Sequence, residues 1–230
     1  MKRIAIIPAR GGSKRIPRKN IKVFFGEPII SYSIKAAINS GLYDEVMVST
    51  DDETIANVAT KYGAKIPFIR SAQTSDDFAT TADVINEVIN WYEKNSEERF
   101  EQGTCIYACA PFVNADLLKE SFDILNTTKS DCVFPVIRYS HPIQRAFILN
   151  EEKKISIIND VNSDLRSQDL KPAFHDAGMF YSFDIKSFKQ KKSLRTEDTF
   201  GIEISELNAH DIDSEDDWKL AELKFQLSLK

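Results

Sequence analysis

Two stretches of the chain carry residue types suited to phosphate chemistry. From Ala9 to Asn20 the sequence reads ARGGSKRIPRKN, directly after the apolar run IAIIP. Gly11 and Gly12 carry no side chains to hold an anion off the backbone. Their N–H groups can therefore approach a phosphate, as in an anion-binding nest. Arg10 and Lys14 can add charge-assisted hydrogen bonds, Pro17 stiffens the loop, and Lys19 returns a further charge to the same rim. The pattern is not G-x-x-x-x-G-K-[ST], because Arg15 follows Lys14, and it is not G-x-G-x-x-G. A solvated basic loop is the plain alternative. A strand, two adjacent glycines and several cations at one carboxyl edge favour a phosphate site. Arg3, Arg15, Arg18 and Lys22 have no assigned role, and some read as solvated charges.

The second stretch, HDIDSEDDW, spans His210–Trp218. Asp211 and Asp213 flank Ile212, so in extended geometry both carboxylates point to one side. Beside a triphosphate they are hard oxygen ligands for Mg²⁺. Placed before a helix, they could equally be a cap and its neighbour. In DLRSQDL (Asp164–Leu170), Arg166 and Gln168 could hold a carboxylate or a hydroxyl-rich ligand. His141, His175 and His210 match no metal spacing, and no G-x-S-x-G elbow supports a serine triad.

These residues need a scaffold. Ile4–Pro8, Glu45–Thr50, Cys105–Pro111 and Cys132–Val136 read as buried strands. Helical spacing predicts helices over Ile29–Gly41, over the TDDETIANVATKYGA stretch with Asp51 or Asp52 as cap and Gly63 as stop, and over Thr81–Asn95, capped by Thr80 or Thr81. Two more are predicted over Asn114–Leu125 and Ser214–Leu227. Strands alternating with helices predict an α/β, mostly parallel sheet covered on both faces. Ligands in such sheets bind beyond the carboxyl ends of the strands. Ala9–Asn20, Asp51, Ala110–Pro111 and the region near Arg138 should then share one rim. From about 137 to 176 the sequence turns polar and turn-rich, which reads as an inserted lid or dimerisation arm. The α/β core is then 1–136 plus 177–230.

The 230 residues carry 30 Lys+Arg against 35 Asp+Glu, a balance of −5, so the basic loop is local. That excludes a general nucleic-acid binder, which needs surplus positive charge to release counterions. No apolar run is long enough to span a membrane, and the run after Met1-Lys2-Arg3 breaks at Pro8, too early for a secretory leader. Cys105, Cys109 and Cys132 are too few and uneven for a disulfide framework, with Cys105 and Cys109 expected on one strand facing the same way. Buried thiols and a cytoplasmic location follow as expectations.

Taken together, IIPARGGSKRIPRKN, EVMVSTDDETIANVATKYGA, RSAQTSDD, RSQDL, DAGMFY and DIDSEDDW resemble the cytidylyltransferases that activate nonulosonic acids, in family order from Ile4 to about Leu223. SKRIPRKN, HPIQRA and RSQDL…HDAGMFY are most similar to the pseudaminic acid cytidylyltransferases within that group. The resemblance implies a Rossmann-like, doubly wound sheet of the nucleotide-diphospho-sugar transferase type, with a small inserted dimerisation or lid arm. It implies that CTP and a nine-carbon 2-keto sugar acid give a CMP-sugar and pyrophosphate, with Mg²⁺ as cofactor, in a homodimer. By position, Arg10, Lys14 and Lys19 would hold the CTP phosphates, with Gly11 and Gly12 opening the backbone. Asn20, Arg70 and Thr81 would face cytosine, and Asp211 and Asp213 would bind the metal. Arg166, Gln168 and Tyr181 would line the sugar-acid pocket. Two positions depart from the sialic acid synthetases: Gln144-Arg145 stands where they often have Lys, and Tyr107 where they have Gln near the acceptor. The alternatives are an N-acylneuraminate, legionaminate or 3-deoxy-manno-octulosonate acceptor, a catalytically silent nucleotide-binding module, and a polyanion-binding protein.

Overall fold

Alternating burial along the first strand sets the architecture. In β1 (Arg3–Pro8), Ile4 and Ile6 face one core, while Ala5 and Ile7 face another. The strand is therefore covered on both sides, as its continuous apolar run requires. The structure is a computed structural model and describes residues 1–158 and 166–229. In chain order, a small hairpin of β2 (Val23–Phe24) and β3 (Glu27–Pro28) leads into α1 (Ile30–Ser40), β4 (Glu45–Ser49), α2 (Glu53–Lys61) and α3 (Thr81–Asn95). Then come β5 (Gln102–Ile106), α4 (Ala115–Thr128), β6 (Cys132–Arg138), and a hairpin of β7 (Phe147–Leu149) and β8 (Ile155–Ile157). The chain closes with β9 (Phe174–Asp176), β10 (Phe180–Asp184), α5 (Ile185–Lys191), β11 (Thr199–Ile204) and α6 (Glu215–Ser228).

The central sheet runs β11-β6-β10-β5-β1-β4, with β9 added to β6. β4, β1, β5, β6 and β11 point one way, and β10 and β9 run against them. α1, α2, α4 and α6 supply Ile34, Ile55, Leu118 and Trp218 to one core. α3 and α5 supply Val88 and Phe188 to the other. Helix starts follow local chemistry. Asp52 accepts from Ile55 N–H (2.9 Å), Asn114 from Leu117 N–H (2.9 Å), and Thr80 and Ser214 form reciprocal capping boxes with Asp83 and Asp217.

Two expectations change. The third strand is not Cys105–Pro111 but begins at Gln102 and ends at Ile106. Cys105 is thus buried in β5, while Cys109 lies in the turn beyond it, so they do not share a strand face. Gly103 can sit mid-strand because a Cβ there would lie 2.8 Å from the Phe183 ring of β10. Burial pushes both thiols up to about 12, and Cys132 is raised by the same cause. Both ends of the 137–176 segment are stitched into the sheet, since β6 runs to Arg138 and β9 pairs with it. Between them stands the β7–β8 hairpin. Asp164 of DLRSQDL lies outside the described residues.

Candidate active site

A cleft of about 450 Å³ opens beyond the carboxyl ends of β1, β4 and β5. Its walls bring together Arg10, Lys14, Lys19, Asn20, Arg70, Thr81, Tyr107 and Asp213 from distant parts of the sequence. A sheet folded this way leaves its loops at that edge, which is why so many of the expected residues meet there.

The charges of the basic loop are paired within the chain. Each of its six basic side chains from Arg10 to Lys22 meets a carboxylate. Arg10 Nη1 lies 3.0 Å from Asp77, and Lys14 also pairs with Asp77. Arg15 lies 2.8 Å and Lys19 3.6 Å from Asp213, Arg18 3.3 Å from Asp52, and Lys22 2.7 Å from Glu215. The Lys14 ammonium, and then Arg10, hold the Asp77 carboxyl below its ordinary range. Arg3, outside the loop, donates to Gln102 Oε1 (3.0 Å) and stacks over Phe122. Gly11 N–H donates to Asp51 (2.8 Å), and a Cβ on Gly11 would lie 3.0 Å from Asp52. That glycine therefore lets the loop close on the start of α2, with its own N–H already engaged. Gly11 and Gly12 are not among the cleft walls.

At the inner end, Arg70 is only 5% exposed and has no carboxylate within ion-pair distance among the described residues. Its guanidinium donates to Ser49 Oγ (3.0 Å) and to the Ser49 carbonyl, and desolvation lowers its pKa. A buried guanidinium lining a cleft without a counterion seeks acceptors from whatever enters. Asn20 braces the loop: its Nδ2 donates to the Arg10 carbonyl (2.9 Å), and its Oδ1 accepts from Cys109 Sγ (3.3 Å). Thr81 opens α3 and lies 3.4 Å from the Tyr107 hydroxyl.

The two acidic residues in DID are free of helix capping, because Ser214 is the cap and Asp217 completes the box. Ile212 between them is buried. Desolvation and then the Asp213 charge push Asp211 above the ordinary carboxyl range, while Lys19 works the other way. The Asp211 carboxyl packs against the backbone of Gly178, whose φ is +66°. No group of three or more His, Cys, Asp or Glu that could hold a metal occurs among the described residues. A divalent cation here would take two carboxylates and complete its shell with ligand or water oxygens. That donor set suits Mg²⁺, which keeps few protein ligands, and the cation would relieve the carboxylate repulsion.

A second cleft of about 350 Å³ adjoins the first and shares Thr80, Thr81 and Tyr107 with it. Tyr181 lines it together with Lys192 and Arg195. Asp176 accepts from Tyr181 OH, from Gly178 N–H (2.8 Å) and from Arg195 Nη2 (2.7 Å), so Tyr181 and Arg195 are held on one carboxylate. The remaining expected sugar residues stand elsewhere. Gln168 lines a separate cleft with Arg138 and Tyr139, Gln144 donates to the Lys171 carbonyl (3.0 Å), and Arg145 ends a short turn beside it. Arg166 is exposed ahead of the turn Ser167–Asp169. Sequence reasoning gave no role to Asp77, Arg15, Cys109, Asp176 and Arg195. Only the acidic pair in TSDD signalled that the basic loop had partners within the chain.

Residues 4–225 match the Cytidylyltransferase family. The chain belongs to that family. It is 40% identical over 228 residues to a pseudaminic acid cytidylyltransferase of Campylobacter jejuni subsp. jejuni serotype O:2, covering 99% of this chain and 98% of the relative. A CMP-N,N'-diacetyllegionaminic acid synthase of Legionella pneumophila subsp. pneumophila is 29% identical over 235 residues, covering 99% and 98%. Among solved structures, a CMP:2-keto-3-deoxy-manno-octonic acid synthetase complexed with CTP superposes with a TM-score of 0.72 over 100% of this chain and 99% of that one. At 14% identity, that likeness establishes the cytidylyltransferase's fold alone.

Proposed function

We propose that this cytidylyltransferase transfers CMP from CTP to a nine-carbon 2-keto sugar acid, pseudaminic acid, and releases pyrophosphate. The observation that carries the reading is a cleft that holds a buried arginine, Arg70, with no carboxylate at ion-pair distance among the described residues. The same cleft is lined by the loop cations Arg10, Lys14, Arg15 and Lys19 and by Asp213, with Asp211 two residues away outside its walls. Cytosine presents acceptors at O2 and N3, which suits Arg70, with Thr81 at the same wall. Arg10, Lys14 and Lys19 receive the phosphates and stabilise the charge that develops on leaving pyrophosphate. Asn20 keeps the loop folded over them. Asp211 and Asp213 would hold Mg²⁺, which would supply charge neutralisation at the phosphates.

The acceptor belongs in the adjoining cleft, beside Tyr107 and Tyr181, where its anomeric hydroxyl can face the α-phosphorus. Tyr107 and Tyr181 present hydroxyls and ring faces to a polyol, and Lys192 and Arg195 add cations for the sugar acid's carboxylate. The 40% identity to a pseudaminic acid enzyme, against 29% to a legionaminic acid one, favours pseudaminic acid over the alternatives.

The same reading assigns the β7–β8 hairpin to a homodimer. Phe147, Ile148, Leu149, Ile155 and Ile157 are all exposed, on both faces of a two-stranded ribbon. Such a ribbon is marginal alone, and a second copy would cover it. No helix among the described residues is long and apolar enough to cross a membrane. With three free cysteines, the enzyme is assigned to the cytoplasm. Asp213→Ala tests the core of the reading. Pyrophosphate release from CTP and pseudaminic acid should be lost with the fold intact, and near-normal release would remove the metal assignment.

A further inference from the structure

The residue that stands where the nucleotide's phosphates would go is a carboxylate of the chain itself. Asp77 spans the two loop cations: Oδ1 lies 3.0 Å from Arg10 Nη1, and Oδ2 takes Lys14 Nζ. Arg10 also donates to the Asp76 carbonyl (2.9 Å), so the whole 76–77 segment sits on the guanidinium. The segment has a defined shape. Asp76 Oδ1 accepts from Phe78 N–H (2.9 Å) and Ala79 N–H (2.7 Å), an Asx turn that presents Asp77 to the cleft. Asp77 makes no other side-chain bond among the described residues, and it lines the cleft with Lys14 and Arg10. Phe78, next along, is 90% exposed, so nothing packs the tip of this loop down. The arrangement is an anion site filled by a tethered anion that is free to leave.

We propose that Asp77 is a built-in competitor for the polyphosphate site: it pairs with Arg10 and Lys14 while the cleft is empty, is displaced by the triphosphate, and returns as pyrophosphate departs. The inference rests on the reading that Arg10 and Lys14 receive the phosphates of CTP. It assigns Asp77 a place in the catalytic cycle. A cationic cradle built to stabilise leaving pyrophosphate would also retain it, and a local carboxylate lowers that retention without weakening the cradle. The same displacement is required of any ligand that reaches both cations, and of none that stops short of them. CMP, with one phosphate, therefore serves as the internal control. Exposed ion pairs of this kind each hold about 1.5- to 5-fold in an equilibrium, and Asp77 makes two. Its removal should tighten polyphosphate binding by about 2- to 30-fold, more at low salt than at high.

The test is titration calorimetry of the full-length protein with inorganic tripolyphosphate, pyrophosphate and CMP, for the wild type, Asp77→Asn, Asp77→Ala and Lys14→Ala. The expected result is tighter tripolyphosphate and pyrophosphate in both Asp77 variants, with CMP unchanged. Pyrophosphate should also become a stronger product inhibitor. If Asp77 only ties the loop in place, its loss would loosen Thr80 and Thr81, and CMP would weaken, which overturns the proposal. Unchanged or weaker polyphosphate binding in the Asp77 variants also overturns it, while Lys14→Ala still weakening binding leaves the phosphate assignment standing. If Lys14→Ala has no effect on tripolyphosphate either, the phosphate assignment and the proposal fall together.

Discussion

Replacing Gly178 by alanine probes the carboxylate pair without touching a charge. Gly178 has φ +66°, where an L side chain costs about 1–2 kcal/mol. The new Cβ would lie 3.2 Å from Cγ and 3.3 Å from Cβ of Asp211. Ordinary carbon contacts sit near 3.5–4.0 Å, so Asp211 must yield by a few tenths of an ångström. The fold should lose about 1–2 kcal/mol, lowering Tm by roughly 2–8 °C for a chain of this size. Misplacement by about 1 Å can cost about 100-fold in rate, so a shift of a few tenths corresponds to about a 3- to 5-fold fall in kcat. The Mg²⁺ concentration needed for half-maximal rate should rise with it. The assay pairs thermal unfolding with pyrophosphate release across a Mg²⁺ titration. If Tm falls as expected while kcat and the Mg²⁺ requirement stay at wild-type values, Asp211 does not sit at the reacting phosphates.

Two further outcomes follow from the same geometry. Asp211→Asn should abolish turnover yet raise the Tm of the metal-free protein. A carboxyl whose folded pKa lies above its unfolded one binds protons more tightly when folded, so ionised Asp211 lowers stability at neutral pH. The Tm gain of the variant should therefore shrink as pH falls through the raised pKa, which differential scanning across a pH series from neutral downward reads directly. If the hairpin forms the proposed homodimer, Ile155→Asp and Ile157→Asp should halve the mass seen by light scattering, and a monomeric wild type or an unchanged mass would overturn that assignment.

Much of this molecule is written locally. Asp52, Thr80, Asn114 and Ser214 each begin a helix by accepting a backbone N–H a turn away, and such chemistry is visible in a few residues of sequence. The strand that divides the sheet is not. β10 runs antiparallel between β5 and β6, and nothing in FYSFD states its direction, which follows from partners about 50 to 80 residues away. The start of β5 was hidden because Gln102 and Gly103 are poor strand formers; Gly103 is placed there by its close approach to Phe183 and Gln102 by hydrogen bonds with Arg3 and Asn126. In the site, the cations and the acidic pair were legible by residue type, and Arg70 only through the family resemblance. Their counterions were not, because Asp77 and Asp213 meet the loop only after the sheet has brought 63 and about 200 residues of separation together. The cations of ARGGSKRIPRKN are thus each paired within the chain before any ligand arrives, five of them on three carboxylates, which leaves a positive surplus.

The most direct measurement is product formation by the wild-type protein with Mg²⁺, CTP and a panel of sugar acids: pseudaminic, legionaminic, N-acetylneuraminic and 3-deoxy-manno-octulosonic acid. The account predicts stoichiometric CMP-sugar and pyrophosphate, with the highest kcat/KM on pseudaminic acid and no turnover when ATP replaces CTP. Preferential turnover of another acid would contradict the acceptor assignment, and no CTP-dependent product with any of them would contradict the account itself.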